Sequence, residues 1–171
     1  MNCNFRIVVD PNPNAPVNAY QTLDDDGRPV IVFTRAMIET ARNADELAFV
    51  MGHEAAHHIE GHLARQNQNA AAGAIIFGQL AGLTGGGSSA IDAATQLGAL
   101  VGSRTYSKEF ELEADRLGTI ITARAGYNPM IGVRFFDRLP DPGDRFLGTH
   151  PPNAQRAELV RQTARSIGFS G

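Results

Sequence analysis

His53 and His57 stand four residues apart with Glu54 directly after the first, in the stretch His53-Glu54-Ala55-Ala56-His57. Leu47, Val50, Met51, Ala55 and His58 recur around them at helical spacing. On a helix the two imidazoles are separated by about one turn, so both leave the same face and can hold one metal ion. Glu54 projects beside the pair, where its carboxylate can take a proton from a metal-bound water. A catalytic metal of this kind usually has three protein donors and an open position, so one more donor is needed.

Residues 103–125 read as a further strong helix and carry Glu111-Leu112-Glu113-Ala114-Asp115. Glu111 and Asp115 fall one turn apart on one face. Glu111 can complete the donor set while Asp115 accepts a hydrogen bond from the outer nitrogen of a liganding histidine, fixing its ring. Glu109 and Glu113 compete for the role by residue type. Glu113 lies about 200° around the helix from Glu111, and Glu109 has only Glu113 itself where Asp115 stands for Glu111. Two carboxylates at this spacing repel unless a cation or proton sits between them. His58 and His62 fall on the histidine-bearing helix at angles that point away from the metal and are read as solvated.

The elements that must hold these groups are legible in outline. Residues 5–10 are β-branched and apolar and end at a proline-broken loop, a first strand. Residues 19–23 and 29–34 flank Asp24-Asp25-Asp26-Gly27 and read as a hairpin. Thr34 can cap a short helix over 35–42, and Asn43-Ala44-Asp45-Glu46 resembles a capping box that starts the metal helix, which is expected to run to Arg65 or on toward Gly82. Around Thr-Gly-Gly-Gly-Ser-Ser at 84–89, two Ala- and Gly-rich stretches within 70–102 form a helical hairpin. Shorter helices over 129–138 and 153–167 flank a Pro-rich loop, 140–152, read as a lid. The fold class is therefore α+β and mainly α, a small N-terminal sheet packed on helices. It is a single domain over 1–171, divided as sheet 1–34, catalytic helices 35–126 and C-terminal helices 127–171.

With 43% hydrophobic and 19% charged residues, the 171-residue chain has the composition of a soluble globular domain. A net charge of -3, without basic runs, argues against nucleic acid as a partner. Cys3 is the only cysteine, which excludes an intramolecular disulfide and a thiolate zinc cluster; its place near the start makes a lipid attachment conceivable. Residues 1–10 lack the pattern of a signal peptide, and no stretch is expected to span a membrane. The small-sided helices of 70–102 suit close helix packing, or contact with a membrane surface or envelope protein.

His-Glu-Ala-Ala-His followed some fifty residues later by Ser107-Lys108-Glu109-Phe110-Glu111-Leu112-Glu113-Ala114-Asp115-Arg116 resembles the gluzincin-type zinc metallopeptidases that include HtpX, the CAAX prenyl proteases, Oma-type mitochondrial proteases and periplasmic BepA-like proteins. The likeness extends to Asn18-Ala19 and to Thr-His-Pro-Pro-Asn-Ala-Gln-Arg at 149–156, and covers nearly the whole chain. It implies a zincin-like fold, one Zn2+ held by His53, His57 and Glu111, Glu54 as catalytic acid/base and Asp115 supporting a ligand. In similar proteins the loop histidine, here His150, can approach the zinc as a regulatory fourth ligand. The lack of transmembrane helices favours the soluble BepA-like branch, and with it a periplasmic or membrane-associated envelope location; a cytoplasmic one is the alternative. Lys108 replaces an arginine common in the family and keeps the charge.

The expected reaction is hydrolysis of peptide bonds in unfolded or misassembled proteins, with Glu54 moving the proton. Arg156 would bind a substrate carboxyl or the oxyanion, or pair with Asp115 or Glu158. An extended peptide is expected along residues 30–34, taken as an edge strand. A second reading keeps the zinc without turnover: a chaperone-like assembly module that holds client proteins, with His150 closing the site.

Overall fold

The computed structural model describes residues 4–143, 148 and 150–169. Cys3 and its expected lipid attachment lie outside the described residues, as does part of the 140–152 loop. Strands β1 (Arg6–Asp10), β2 (Ala19–Leu23) and β3 (Pro29–Thr34) form one sheet in the order β1-β3-β2. The β2–β3 turn is the expected hairpin. Gly27 takes φ 75°, and the Asp24 carboxylate accepts from the backbone N–H of Asp26 and Arg28. Ala19 then faces Phe33 in antiparallel register, while β1 joins the other side of β3 in parallel, Arg6 opposite Val30.

All six residues of β3 are buried. Its Pro-Val-Ile-Val-Phe-Thr sequence lacks the alternation of a strand with one wet face, and that continuous apolar run marks a strand covered on both faces. It is the centre of the sheet. The expectation that 30–34 is an open edge is therefore corrected: β1 and β2 occupy both of its sides, and the edges belong to them.

Thr34 ends β3 and caps α1 (Arg35–Thr40), its hydroxyl accepting from Met37 N–H at 3.1 Å. Asn43 caps α2 (Ala44–Ile59) in the same way through Glu46 N–H at 3.0 Å. Glu46 does not close the box on Asn43. Its carboxylate, in a residue only 2% exposed, takes the Arg42 N–H at 2.8 Å and two bonds from Arg138, one of 2.9 Å. Arg138 comes from a 3-10 turn (Val133–Arg138), so this carboxylate ties the start of α2 to the C-terminal third of the chain.

Burial alone would push the Glu46 pKa up, but the bonds from Arg138 and Arg42 outweigh it and hold it below the usual value. The contribution is present above the unfolded-state pKa of about 4.3 and is lost as pH falls through the lower folded value. We expect Glu46→Gln to cost about 2 kcal/mol at pH 7 in urea unfolding, with the gap to wild type closing in acid. A gap that does not change between pH 7 and pH 3 would show that Glu46 acts by shape alone.

Gly61, at φ 67°, ends α2, and α3 (His62–Leu83) begins at the next residue. The metal helix is thus shorter than expected: a glycine in the left-handed region turns the chain where the helical pattern reads straight through. α3 and α4 (Ser88–Thr105) form the expected hairpin. A Cβ on Gly98 would lie 2.2 Å from the Gly73 carbonyl oxygen, so the two backbones touch and only glycine fits. The outer faces carry exposed Ile75, Ile76, Leu80, Leu83, Leu97 and Leu100. Among the described residues, no helix is long and apolar enough to cross a membrane.

The expected helix over 103–125 is divided at Tyr106. α4 ends before it and α5 (Ser107–Arg124) follows, because α4 pairs with α3 whereas α5 must turn to pack on α2. α6 (Pro129–Gly132), capped by Asn128, leads into the 3-10 turn, and α7 (Asn153–Ser166) packs on α5. The core between sheet and helices centres on Ile31, Phe33, Met37, Phe49, Phe136 and Val160.

Candidate metal centre

The centre forms where α2 crosses α5. A Cβ on Gly52 would lie 2.9 Å from the Gly118 carbonyl oxygen, and one on Gly118 would lie 2.9 Å from the His53 backbone nitrogen. Two glycines at the crossing let the helices approach until Asp115 and Glu111, about one and two turns before Gly118 on α5, reach the side chains of α2. Among the described residues, His53, His57 and Glu111 are the one set of His, Cys, Asp or Glu whose potential ligand atoms all lie within 4.8 Å of one another. The two Nε2 atoms are 3.0 Å apart, and Glu111 places Oε1 3.3 Å from His57 Nε2 and Oε2 3.5 Å from His53 Nε2.

Each outer contact turns a ring toward the cluster. His53 Nδ1 is 3.0 Å from Asp115 Oδ1, as the one-turn spacing of Glu111 and Asp115 predicts. Asp115 is fully buried and is gripped from α7 by Arg156, Nε to Oδ2 at 2.7 Å and Nη2 to Oδ1 at 2.8 Å. The guanidinium lies 3.9 Å from the centre of the Phe136 ring, and its Nη2 is 3.4 Å from Glu111 Oε2. Of the partners open to Arg156 in the sequence, the structure takes Asp115; Glu158 pairs with Arg161 at 3.0 Å.

The electrostatics favour a cation. Burial lowers the His53 pKa, yet the carboxylates of Asp115 and Glu111 beside it overcome that and push the group up to about 10. Burial likewise opposes ionisation of Glu111, but His53 and His57 hold it well below the carboxylate range. His57 is kept low by its burial and by the neighbouring His53. Glu111 Oε2 is buried without a hydrogen-bond partner. Two imidazoles and a carboxylate whose potential ligand atoms converge within 4.8 Å, one carboxylate oxygen lacking a hydrogen bond, are what a divalent metal requires.

Glu54 stands beside the cluster on α2 and lines the same cleft of about 220 Å³, with Val17, Asn18 and Ala19 on the sheet side and Phe135 and Phe136 opposite. Burial raises its pKa to about 7, against the lowering effects of His53, Arg156 and a bond from the Gln21 N–H on β2. His150 also lines the cleft. Its side chain is half exposed, with Nε2 3.8 Å from Glu111 Oε2.

One expectation changes. His62 is not solvated: it is 4% exposed, with Nδ1 2.8 Å from His57 Nδ1 and Nε2 2.9 Å from Glu113 Oε2. Glu113, an alternative donor by type, points to His62 and Arg65 instead. His58 does point away, and packs edge-on against Phe5. The signal for His62 lay in Gly61. On one continuous helix His62 would sit about 140° from His57, whereas a left-handed glycine directly before it lets the chain double back.

Two crossing helices that gather two histidines and a glutamate beside a buried glutamate are the framework of a metal-dependent hydrolase. The chain belongs to Peptidase family M48, whose profile matches residues 4–164. That family implies a metal cofactor. A Vibrio cholerae protein is 34% identical over 142 residues, 73% of this chain and 28% of its own length. The beta-barrel assembly-enhancing protease of Escherichia coli K12 is 29% identical over 150 residues, 80% of this chain and 31% of the relative. Mitochondrial metalloendopeptidase OMA1 of Arabidopsis thaliana is 28% identical over 140 residues, 78% and 27%. The chain thus spans less than a third of the length of these relatives.

Proposed function

We propose that residues 1–171 form one zincin-like endopeptidase domain that uses a single Zn2+ to cleave unfolded or misassembled proteins of the cell envelope. The observation that carries this is the convergence of His53, His57 and Glu111 within 4.8 Å, with Glu54 in the same cleft. Two imidazoles and one carboxylate suit zinc by number and type. Zinc bound there supplies a Lewis acid for the peptide carbonyl and lowers the pKa of a bound water.

The chain's own groups do the rest. Glu54 takes a proton from the attacking water and returns it to the leaving amine, a task suited to a carboxylate whose pKa burial has raised to about 7. Asp115 fixes the His53 ring and Arg156 fixes Asp115. With β3 enclosed, an extended substrate pairs along β2, the edge whose start lines the cleft. Main-chain pairing demands little of substrate sequence, as suits a protease of misassembled chains. The name beta-barrel assembly-enhancing protease, carried by a relative, supports an envelope substrate, and with that substrate goes the periplasmic or membrane-associated location we propose. The outward leucines and isoleucines of the α3–α4 hairpin support contact with a lipid surface or an envelope protein.

The test is metal content of the purified protein together with hydrolysis of casein, before and after chelation. About one zinc per chain, with hydrolysis abolished by chelation and restored by zinc, is expected. Protein that carries no metal and takes none up sinks the proposal. A second reading has His150 close the site as a fourth donor, supported by its 3.8 Å approach to Glu111, so that the domain holds clients without cutting them. Zinc without turnover in both wild type and His150→Ala favours that module, whereas turnover raised in His150→Ala makes His150 a regulatory brake.

A further inference from the structure

Behind the metal-facing edge of His57 runs a chain of polar contacts whose direction is determined. His57 Nε2 belongs to the cluster and must present a lone pair there, so the proton of the neutral ring sits on Nδ1. That N–H meets His62 Nδ1 at 2.8 Å, which must therefore accept. His62 then carries its proton on Nε2 and donates to Glu113 Oε2 at 2.9 Å, and Arg65 Nη1 donates to the same oxygen at 2.6 Å. Each link leaves one role open for the next. The His62 ring is stacked on Phe110, centroids 4.7 Å apart and planes within 11°, and the Arg65 guanidinium covers the same Phe110 ring at 4.3 Å. Gly61 delivers His62 to this place by breaking the helix.

We infer that His62 and Glu113 are positioning residues that hold His57 as its Nδ1–H tautomer, so that its Nε2 is available to the metal. The inference rests on the reading of His57 as a metal donor. It gives that histidine what Asp115 gives His53. The two liganding rings are thus braced by separate devices, one from α5 and α7, the other from the first turn of α3 and a second acid on α5. A bracing partner of this kind typically changes metal affinity by about 10- to 100-fold.

His62→Phe retains the ring and its stack on Phe110 but cannot accept a hydrogen bond. His62→Asn places a carbonyl oxygen near the position of Nδ1 and can accept from His57. Two readouts separate positioning from packing. The first is the tautomer of His57 in metal-free protein, read from long-range proton–nitrogen NMR spectra. The second is zinc affinity measured by competition with a chromophoric chelator. In His62→Phe we expect the His57 proton to leave Nδ1 for a mixture of tautomers and zinc affinity to fall about 10- to 100-fold; in His62→Asn we expect both to return most of the way. A His57 tautomer and zinc affinity that match wild type in His62→Phe overturn the inference. Should that variant fail to fold, Glu113→Ala removes only a half-exposed carboxylate, and the inference then requires a smaller shift of both readouts in the same direction, with no change in either overturning it. Wild-type protein that binds no zinc would defeat the proposed function, while the tautomer comparison would still decide the role of His62.

Discussion

Glu54→Gln is expected to lose hydrolysis by a factor of about 10² to 10⁴ while zinc content stays at the wild-type value. The separation follows from the geometry. Glu54 lies outside the set of His53, His57 and Glu111, so no donor is removed. Glutamine has the same shape, and its carbonyl oxygen can keep the bond from the Gln21 N–H. What disappears is a group able to take and return a proton. Stability should move the other way. Burial raises the Glu54 pKa to about 7, so the ionised side chain counts against folding, and wild type loses stability as pH climbs from the unfolded-state value of about 4.3 to about 7. Glutamine carries no such burden, and the variant should gain on wild type across that interval in urea unfolding of metal-free protein. Activity lost together with zinc would show that Glu54 serves the metal; hydrolysis retained with zinc in place would defeat the assignment of Glu54 as the acid/base.

Which residues meet at this centre was legible wherever local geometry decides it. His53, Glu54 and His57 occupy one turn, and Glu111 and Asp115 another, so helical periodicity alone groups each set. That two helices would cross at Gly52 and Gly118 was not legible, because a glycine inside a helical pattern does not announce what approaches it. Strand pairing failed for a similar reason. The hairpin of β2 and β3 is a local matter of Asp24 and Gly27, but the parallel addition of β1 is long-range, and it turned a supposed edge into the centre of the sheet. Yet the unbroken apolar run of β3 did hold that information. His62 was misread because angular reasoning assumed one uninterrupted helix, and a single left-handed residue, Gly61, was enough to void it. The two braces of the histidines thus differ in legibility: Asp115 stands at a regular spacing from Glu111, whereas His62 depends on a break in regularity.

Arg156→Met should destabilise the metal-free protein by about 3 to 5 kcal/mol in urea unfolding. Asp115 is fully buried and Arg156 only 5% exposed, and their two-bond grip is the guanidinium–carboxylate pairing that a methionine cannot replace. Removing the guanidinium leaves Asp115 and Glu111 facing each other with one cation fewer. Against burial, Arg156 first and His53 second now hold the Asp115 pKa below the usual value, and without the guanidinium only His53 is left to oppose that burial. The depressed pKa sets the sign with pH: the pair contributes above the unfolded-state value of about 3.9, and its contribution fades as acid protonates Asp115. Adding Asp115→Leu to Arg156→Met removes the abandoned charge, so the double variant should be more stable than Arg156→Met alone. Arg156→Lys keeps the charge but not the planar fork and should recover only part of the loss. An arginine reserved for substrate would behave otherwise, leaving unfolding unchanged and raising KM. The bidentate contact therefore commits Arg156 first to holding Asp115, and through it the ring of His53, with any contact to substrate made by what the Asp115 pair leaves over.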